Sequence, residues 1–118
     1  MFESTLKRLV EEADGALGAA VLSLDGLVIQ AVDELGSPCD PEVATLEYAQ
    51  VFKQLLAAAE EIELGRVEQF TVAGHKRLGL ARVLSPHYVV ALNLPADAIE
   101  GRGHFHLRVA APDLGREL

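Results

Sequence analysis

Between Gly15 and Val32 the hydrophobic and polar positions follow the pattern of a β-hairpin. Two runs rich in Val, Leu, Ile and Ala flank Asp25-Gly26, a dipeptide that tolerates the positive φ angles of a type I′ turn. The first run is apolar on both alternating faces, as expected of an inner strand that is covered on both sides. The two-residue turn leaves an apolar tip at the end of the sheet, which could pack under a neighbouring loop or contact a partner. The candidate partner-binding residues are Leu24, Asp25, Leu27 and Val28.

A long central helix has the strongest local signal. Asp40 caps it, Pro41 fills its first position and Gly65 stops it, so it should run to about Leu64. Its apolar residues cover an arc of about 180°, wider than the roughly 100° that a helix needs to lie on one sheet. The second partner of this arc is either a second copy of the chain, across a two-fold axis, or a deeper setting within a monomer. The arc consists of Ala44, Tyr48, Val51, Phe52, Leu55, Leu56, Ala58, Ala59 and Ile62.

Two shorter helical patterns flank this framework. A first helix should run from Phe2 to Asp14 and stop at Gly15. A final helix should carry an apolar stripe from Leu107 to Leu118, after a connection that two glycines loosen, and Pro112 should kink or split it. The two glycines are Gly101 and Gly103.

Three further strands are predicted after the central helix. Residues 66–73 mix charged and apolar side chains, as expected of an edge strand whose charges discourage unwanted pairing. Residues 77–84 form the next strand after a Gly-His-Lys turn. Residues 88–93 are apolar almost throughout, so this strand should be central and should lie beside the first.

Composition and charge narrow the function classes. The 118 residues are enough for one domain, residues 1–118, and half of them are hydrophobic. The net charge of −8 opposes nucleic acids and anionic membrane surfaces as partners. Cys39 is the single cysteine, so no internal disulfide forms, and with no signal peptide or membrane-spanning run we expect a cytoplasmic protein.

No constellation of catalytic residues is recognisable. The chain contains neither a phosphate-binding loop nor a dinucleotide fingerprint. The four histidines lack metal-ligand spacing, and Ser85 and His87 flank a turn proline without the context of a nucleophile. We therefore predict no catalytic residue, cofactor or metal site, and expect that the protein is not an enzyme.

The order of elements, α-β-β-α-β-β-β-α, resembles the roadblock/dynein light chain domain family, and within it the bacterial Mgl-type regulators of Ras-like GTPases in gliding motility. Among these, the final segment is most similar to the short MglC adaptors and less so to the longer, GTPase-activating MglB proteins. The resemblance covers the whole chain and rests on the spacing of Asp14-Gly15-Ala16-Leu17, Asp25-Gly26, Leu46-Glu47-Tyr48-Ala49, Leu84-Ser85-Pro86, and Gly101-Arg102-Gly103 before residues 107–112.

The resemblance implies a three-layer α/β/α fold (an α+β protein) with a five-stranded antiparallel sheet. It also implies a homodimer in which the central helices pack across a two-fold axis and the third strands join. The homodimer interface would then comprise Tyr48, Val51, Phe52, Leu55, Ala59 and Ile62, with Val67 and Phe70 from the third strand.

Three functions follow as hypotheses. The first is a non-enzymatic adaptor that binds a paralogous roadblock protein or a Ras-like small GTPase through the hairpin tip. The second is direct stimulation of GTP hydrolysis by that GTPase. The third is a ligand sensor of the profilin, PAS or GAF shape, which would need a cavity that the alanine-rich sheet and helix do not favour.

Overall fold

The structure is a computed structural model that describes residues 2–25, 27–40 and 43–118, with side chains in the second helix described from Ala49 onward. The helices are α1 (Glu3–Glu12), α2 (Val43–Glu61) and α3 (Glu100–Arg116). The strands are β1 (Gly18–Ser23), β2 (Val28–Asp33), β3 (Gln69–Ala73), β4 (Arg77–Ser85) and β5 (Tyr88–Pro95). The predicted start of α2 at Pro41 lies outside the described residues.

The strands form one five-stranded antiparallel sheet in the order β2-β1-β5-β4-β3. The predicted fold class and element order are therefore confirmed. The apolar strand β5 is central and pairs with β1, as its sequence predicted. Strand β3 is an edge strand, and it begins at Gln69 rather than at Arg66.

The two faces of the sheet bury separate hydrophobic cores. Beneath α1 and α3, the core includes Ala19 and Val21 of β1 together with Leu107 and Leu114 of α3. On the opposite face, Ala20, Leu22 and Leu24 pack with Phe52 of α2. Alternate residues of β1 thus point into different cores, which confirms that both of its faces are covered.

Helix α3 corrects one prediction. Gly101 and Gly103 do not loosen a connection, because both lie inside the helix, which begins at Glu100. Gly103 is buried where α3 crosses the sheet, and a Cβ atom there would lie 2.4 Å from Leu80 Cδ1 and 2.9 Å from Leu94 Cδ1. This glycine is needed for close approach of helix and sheet rather than for flexibility. Pro112 does not split α3, which continues to Arg116.

The predicted hairpin forms between β1 and β2, which pair antiparallel. The backbone N–H of Ser23 donates to the carbonyl of Leu27 over 2.7 Å, whereas Gly26 of the predicted two-residue turn lies outside the described residues. Within the strands, Val21 pairs with Gln30 and Leu22 with Val28, which leaves Ile29 in a β-bulge. The bulge twists this end of β2 and changes which of its side chains face outward.

Candidate interaction surfaces

The apolar arc of α2 is divided between the protein interior and its surface. Phe52 is fully buried and packs with residues of the sheet, and Ala59 is 6% exposed. By contrast, Val51, Leu55 and Ile62 are 47%, 41% and 71% exposed. A single copy of the chain therefore covers one side of the arc and leaves the other in water.

The exposed residues form a continuous stripe because of their spacing. Val51, Leu55, Ala58 and Ile62 follow one another at steps of four, three and four, and all are exposed. Residues with this spacing lie along one line of a helix, as in the seam of a helix pair. We call these four residues the α2 stripe.

Edge strand β3 continues this apolar surface. Its one described pairing is with β4, and its other edge has no described strand beside it. Val72 is 47% exposed, and Phe70 is half-buried with its ring stacked on that of Phe52, the two centroids 4.6 Å apart. Val67, just before the strand, is also half-buried. An unpaired strand edge beside an apolar helix stripe is a suitable surface for a second sheet.

The predicted interface residues therefore fall into distinct groups. Val51, Leu55 and Ile62 are on the surface, whereas Phe52 and Ala59 belong to the protein's own core. The side chain of Tyr48 lies outside the described part of the chain. Two exposed residues, Leu64 and Val72, are absent from the predicted interface, although Val72 is two residues from Phe70 and so shares its face of the strand.

The hairpin tip differs in part from its prediction. Leu24 is buried against α2, and its N–H donates to the carbonyl of His87 over 2.9 Å, so its side chain offers no surface. Leu27 is 65% exposed and Val28 is half-buried. Ile29, in the β-bulge, is 43% exposed and extends this apolar surface. Its exposure follows from the register shift between β1 and β2 and could not be predicted from the sequence. We call Leu27, Val28 and Ile29 the hairpin patch.

Asp25 is also at the tip and is exposed. Its carboxylate lies 4.0 Å from the Nζ atom of Lys53 on α2. Both side chains are well solvated, so this ion pair adds little to stability. Asp25 remains accessible as a polar neighbour of the hairpin patch.

A polar cluster joins α3 to edge strand β3. The hydroxyl of Thr71 donates to Glu100 Oε1 over 2.8 Å and lies 2.7 Å from His104 Nε2. Because its single proton is used on Glu100, the hydroxyl accepts from an Nε2–H group, and when the ring is neutral this corresponds to the Nε2–H tautomer of His104. Burial lowers the pKa of His104, the nearby Glu100 raises it and Arg82 lowers it further, with a net downward shift.

An open groove of about 820 Å³ lies beside the C-terminal end of α2, against β4. Its lining includes Leu56, Glu60, Arg66, Arg82 and Ser85. Across the described residues, no three His, Cys, Asp or Glu side chains are grouped as metal ligands would be. None of the helices, as far as they are described, has the length and apolar character of a membrane span.

Comparison with solved structures identifies similar proteins. The chain is 35% identical to MglC from Myxococcus xanthus, with a TM-score of 0.72, and the match covers 99% of this chain and 98% of that one. No family model matches the chain, and no curated protein sequence does.

Two further solved structures share the fold at lower identity. MglB in a tetrameric arrangement has a TM-score of 0.77 at 22% identity, covering 96% of this chain and 84% of that one. A Roadblock/LC7 domain from Streptomyces avermitilis has a TM-score of 0.76 at 15% identity, covering 95% and 92%. These two matches show that the fold is shared, whereas the match to MglC includes similarity of sequence as well as of fold.

Proposed function

This chain belongs to the Mgl-type roadblock proteins, and from that premise we propose that it is a non-enzymatic, homodimeric adaptor in a Ras-like small GTPase polarity system. It would act in the cytoplasm through protein–protein contacts alone, as a single roadblock domain over residues 1–118. The observation that carries the proposal is the α2 stripe, because it exposes apolar side chains that an isolated protomer does not cover.

The proposed dimer places two copies of the α2 stripe together across a two-fold axis. Such an interface uses the same patch twice, so one apolar stripe is self-complementary. Beside the helices, the open edges of the two β3 strands would pair and join the sheets, burying Val72 and the exposed edge of Phe70. The tetrameric arrangement of the similar MglB structure supports self-association within this fold.

The proposed partner surface is the hairpin patch with Asp25. It lies at the end of the β1–β2 hairpin, whereas β3 forms the opposite edge of the sheet. Pairing of the two β3 edges would therefore not cover the hairpin patches. Membership of this family suggests two kinds of partner, a paralogous roadblock dimer and a Ras-like GTPase.

The experiment is a binding measurement between the purified protein and its genomically neighbouring roadblock paralogue and GTPase. Leu27→Asp should weaken binding by about tenfold or more while light scattering still reports a dimer. Leu35→Asp serves as a matched control, because Leu35 is also a well-exposed leucine, 74% accessible, in the loop after β2. Unchanged binding by Leu27→Asp would reject the hairpin patch as the partner surface.

Direct activation of the GTPase is distinguished in the same experiment by phosphate release. An adaptor binds without changing the rate of GTP hydrolysis, whereas an activator accelerates it. Arg66, Arg77 and Arg82 would have to be tested as contributors only in the second case, since arginines can stabilise phosphoryl transfer.

A further inference from the structure

The outer face of α3 presents a second apolar surface, on the opposite side of the sheet from the α2 stripe. Phe105 and Val109 are one helical turn apart and are 49% and 52% exposed. Pro112 continues the same line and is exposed. Residues spaced by four and then three positions share one side of a helix, so these three form a continuous strip.

Two arginines border the strip. Arg102 precedes Phe105 by three residues and Arg108 follows it by three, which places them on opposite flanks of the helix surface, and both are exposed. Among the described residues, no carboxylate forms an ion pair with either of them. Arg116 is different, because it and Arg8 of α1 both bind Asp113.

The aromatic ring of Phe105, at the N-terminal end of the strip, contacts two neighbouring side chains. The guanidinium carbon of Arg108 lies 5.8 Å from the centroid of the Phe105 ring, and the His106 ring meets it edge-on at 5.5 Å. A cation over the face of an aromatic ring favours one ring position, so Phe105 is oriented before any partner arrives. A pre-positioned exposed ring loses little side-chain entropy on binding, which is favourable for an anchor residue.

We propose that this face of α3, defined by Phe105, Val109 and Pro112 with Arg102 and Arg108, docks an acidic amphipathic segment of a partner protein. Apolar side chains of the segment would cover Phe105 and Val109. Its carboxylates would pair with Arg102 and Arg108 on either side.

The distribution of charge on the protein favours an acidic segment as the partner of this strip. The whole chain carries a net charge of −8, so a positively flanked strip is a local reversal of sign that orients an acidic partner toward one face. An anionic membrane is an extended surface and would also face the chain's remaining excess of negative charge, whereas a short acidic segment confined to the strip would face mainly the two arginines. A second copy docked face to face through α3 would bring four arginines together.

The test uses the full-length protein, labelled with ¹⁵N, and a synthetic helical peptide with leucines on one face and glutamates along both flanks. Binding should perturb the amides of α3 and weaken as salt is added. Phe105→Ala, and separately the double variant Arg102→Glu with Arg108→Glu, should each weaken binding by about tenfold or more. Arg77→Glu is the matched control, because Arg77 is exposed on β4, and should bind within about twofold of the wild type.

Four outcomes would overturn the proposal. The first is equal binding of a peptide whose glutamates are replaced by lysines, and the second is perturbation of amides only outside α3. The third is binding of anionic vesicles but not of the acidic peptide. The fourth is a change in the protein's oligomeric mass on Phe105→Ala. The last would indicate that a second copy covers the strip. Because the peptide assay needs neither the hairpin patch nor a GTPase, its result is independent of the proposed adaptor function.

Discussion

The rings of Phe52 in α2 and Phe70 in β3 are stacked, with centroids 4.6 Å apart and planes inclined by 9°. Phe52 is fully buried, whereas Phe70 keeps part of its surface exposed at the edge of the sheet. The stack fixes the central helix to the edge strand. The two elements proposed for the dimer interface are thereby held in one arrangement within each protomer.

Truncation of this stack should lower both stability and dimer affinity. Phe70→Ala removes half of the stacked pair and leaves a gap beside Phe52, so we expect the free energy of unfolding to fall by about 2–4 kcal/mol. Chemical denaturation measures this loss. Phe105→Ala is the control, since it removes the same atoms from an exposed position and should cost less than about 1 kcal/mol. Equal losses for the two variants would contradict the role of the stack.

A methyl group at Gly103 should destabilise the protein although it improves helix propensity. The added Cβ would collide with Leu80 and Leu94, both buried, so Gly103→Ala should lower the free energy of unfolding by about 1–3 kcal/mol. Gly115→Ala changes the same helix where nothing lies within 4 Å, and should leave stability unchanged or raise it by up to about 1 kcal/mol. The same unfolding midpoint for Gly103→Ala and Gly115→Ala would contradict the close-packing role of Gly103.

Much of the fold could be predicted from the sequence because its signals are local. The alternating apolar faces of β1 required cover on both sides, and the structure places Val21 in one core and Leu22 in the other. The apolar run of β5 indicated a central strand, and the charged residues before Phe70 indicated an edge. The excess width of the α2 arc predicted a second partner besides the chain's own sheet, either a second copy or a deeper setting within a monomer, and Leu55 and Ile62 are exposed in the single chain.

The remaining differences depend on contacts between distant parts of the chain. A pair of glycines such as Gly101 and Gly103 is typical of a flexible connection. Only the short distance from Gly103 to Leu80 and Leu94 shows that this glycine permits close packing of the helix on the sheet. Ile29 is exposed because of a bulge whose register no local pattern specifies. The division of the α2 arc likewise depends on which residues face the sheet, so Phe52 could not be separated from Val51 by hydrophobicity alone.

His104 should make stability depend on pH in a defined direction. Burial holds its pKa below the ordinary value of 6.5, so the unfolded chain takes up a proton at a higher pH than the native protein does. The contribution of His104 to stability is therefore full above pH 6.5 and is lost as the pH is lowered from there through the native pKa. His104→Gln should flatten this part of the profile, measured by thermal or chemical unfolding between about pH 7.5 and 5. A profile unchanged by the substitution would show that another group controls it.

The hairpin patch and the dimer interface should be separable by mutation. Leu27→Asp places a charge on an exposed apolar side chain at the tip, so partner affinity should fall by about tenfold or more while the protein's mass in solution stays the same. Isothermal titration calorimetry against the roadblock paralogue and the GTPase measures the affinity. Loss of binding together with loss of the dimer would show that the two surfaces are not independent.

The most direct test of the account is the mass of the protein in solution, measured by light scattering across a dilution series. A dimer of about 25 kDa, twice the 12.7 kDa of one chain, is the predicted result. The double variant Leu55→Asp with Ile62→Asp should shift the mass toward 12.7 kDa, whereas Val109→Asp on α3 should not. A wild-type particle of 12.7 kDa at every concentration would contradict the claim that the α2 stripe is covered by a second copy.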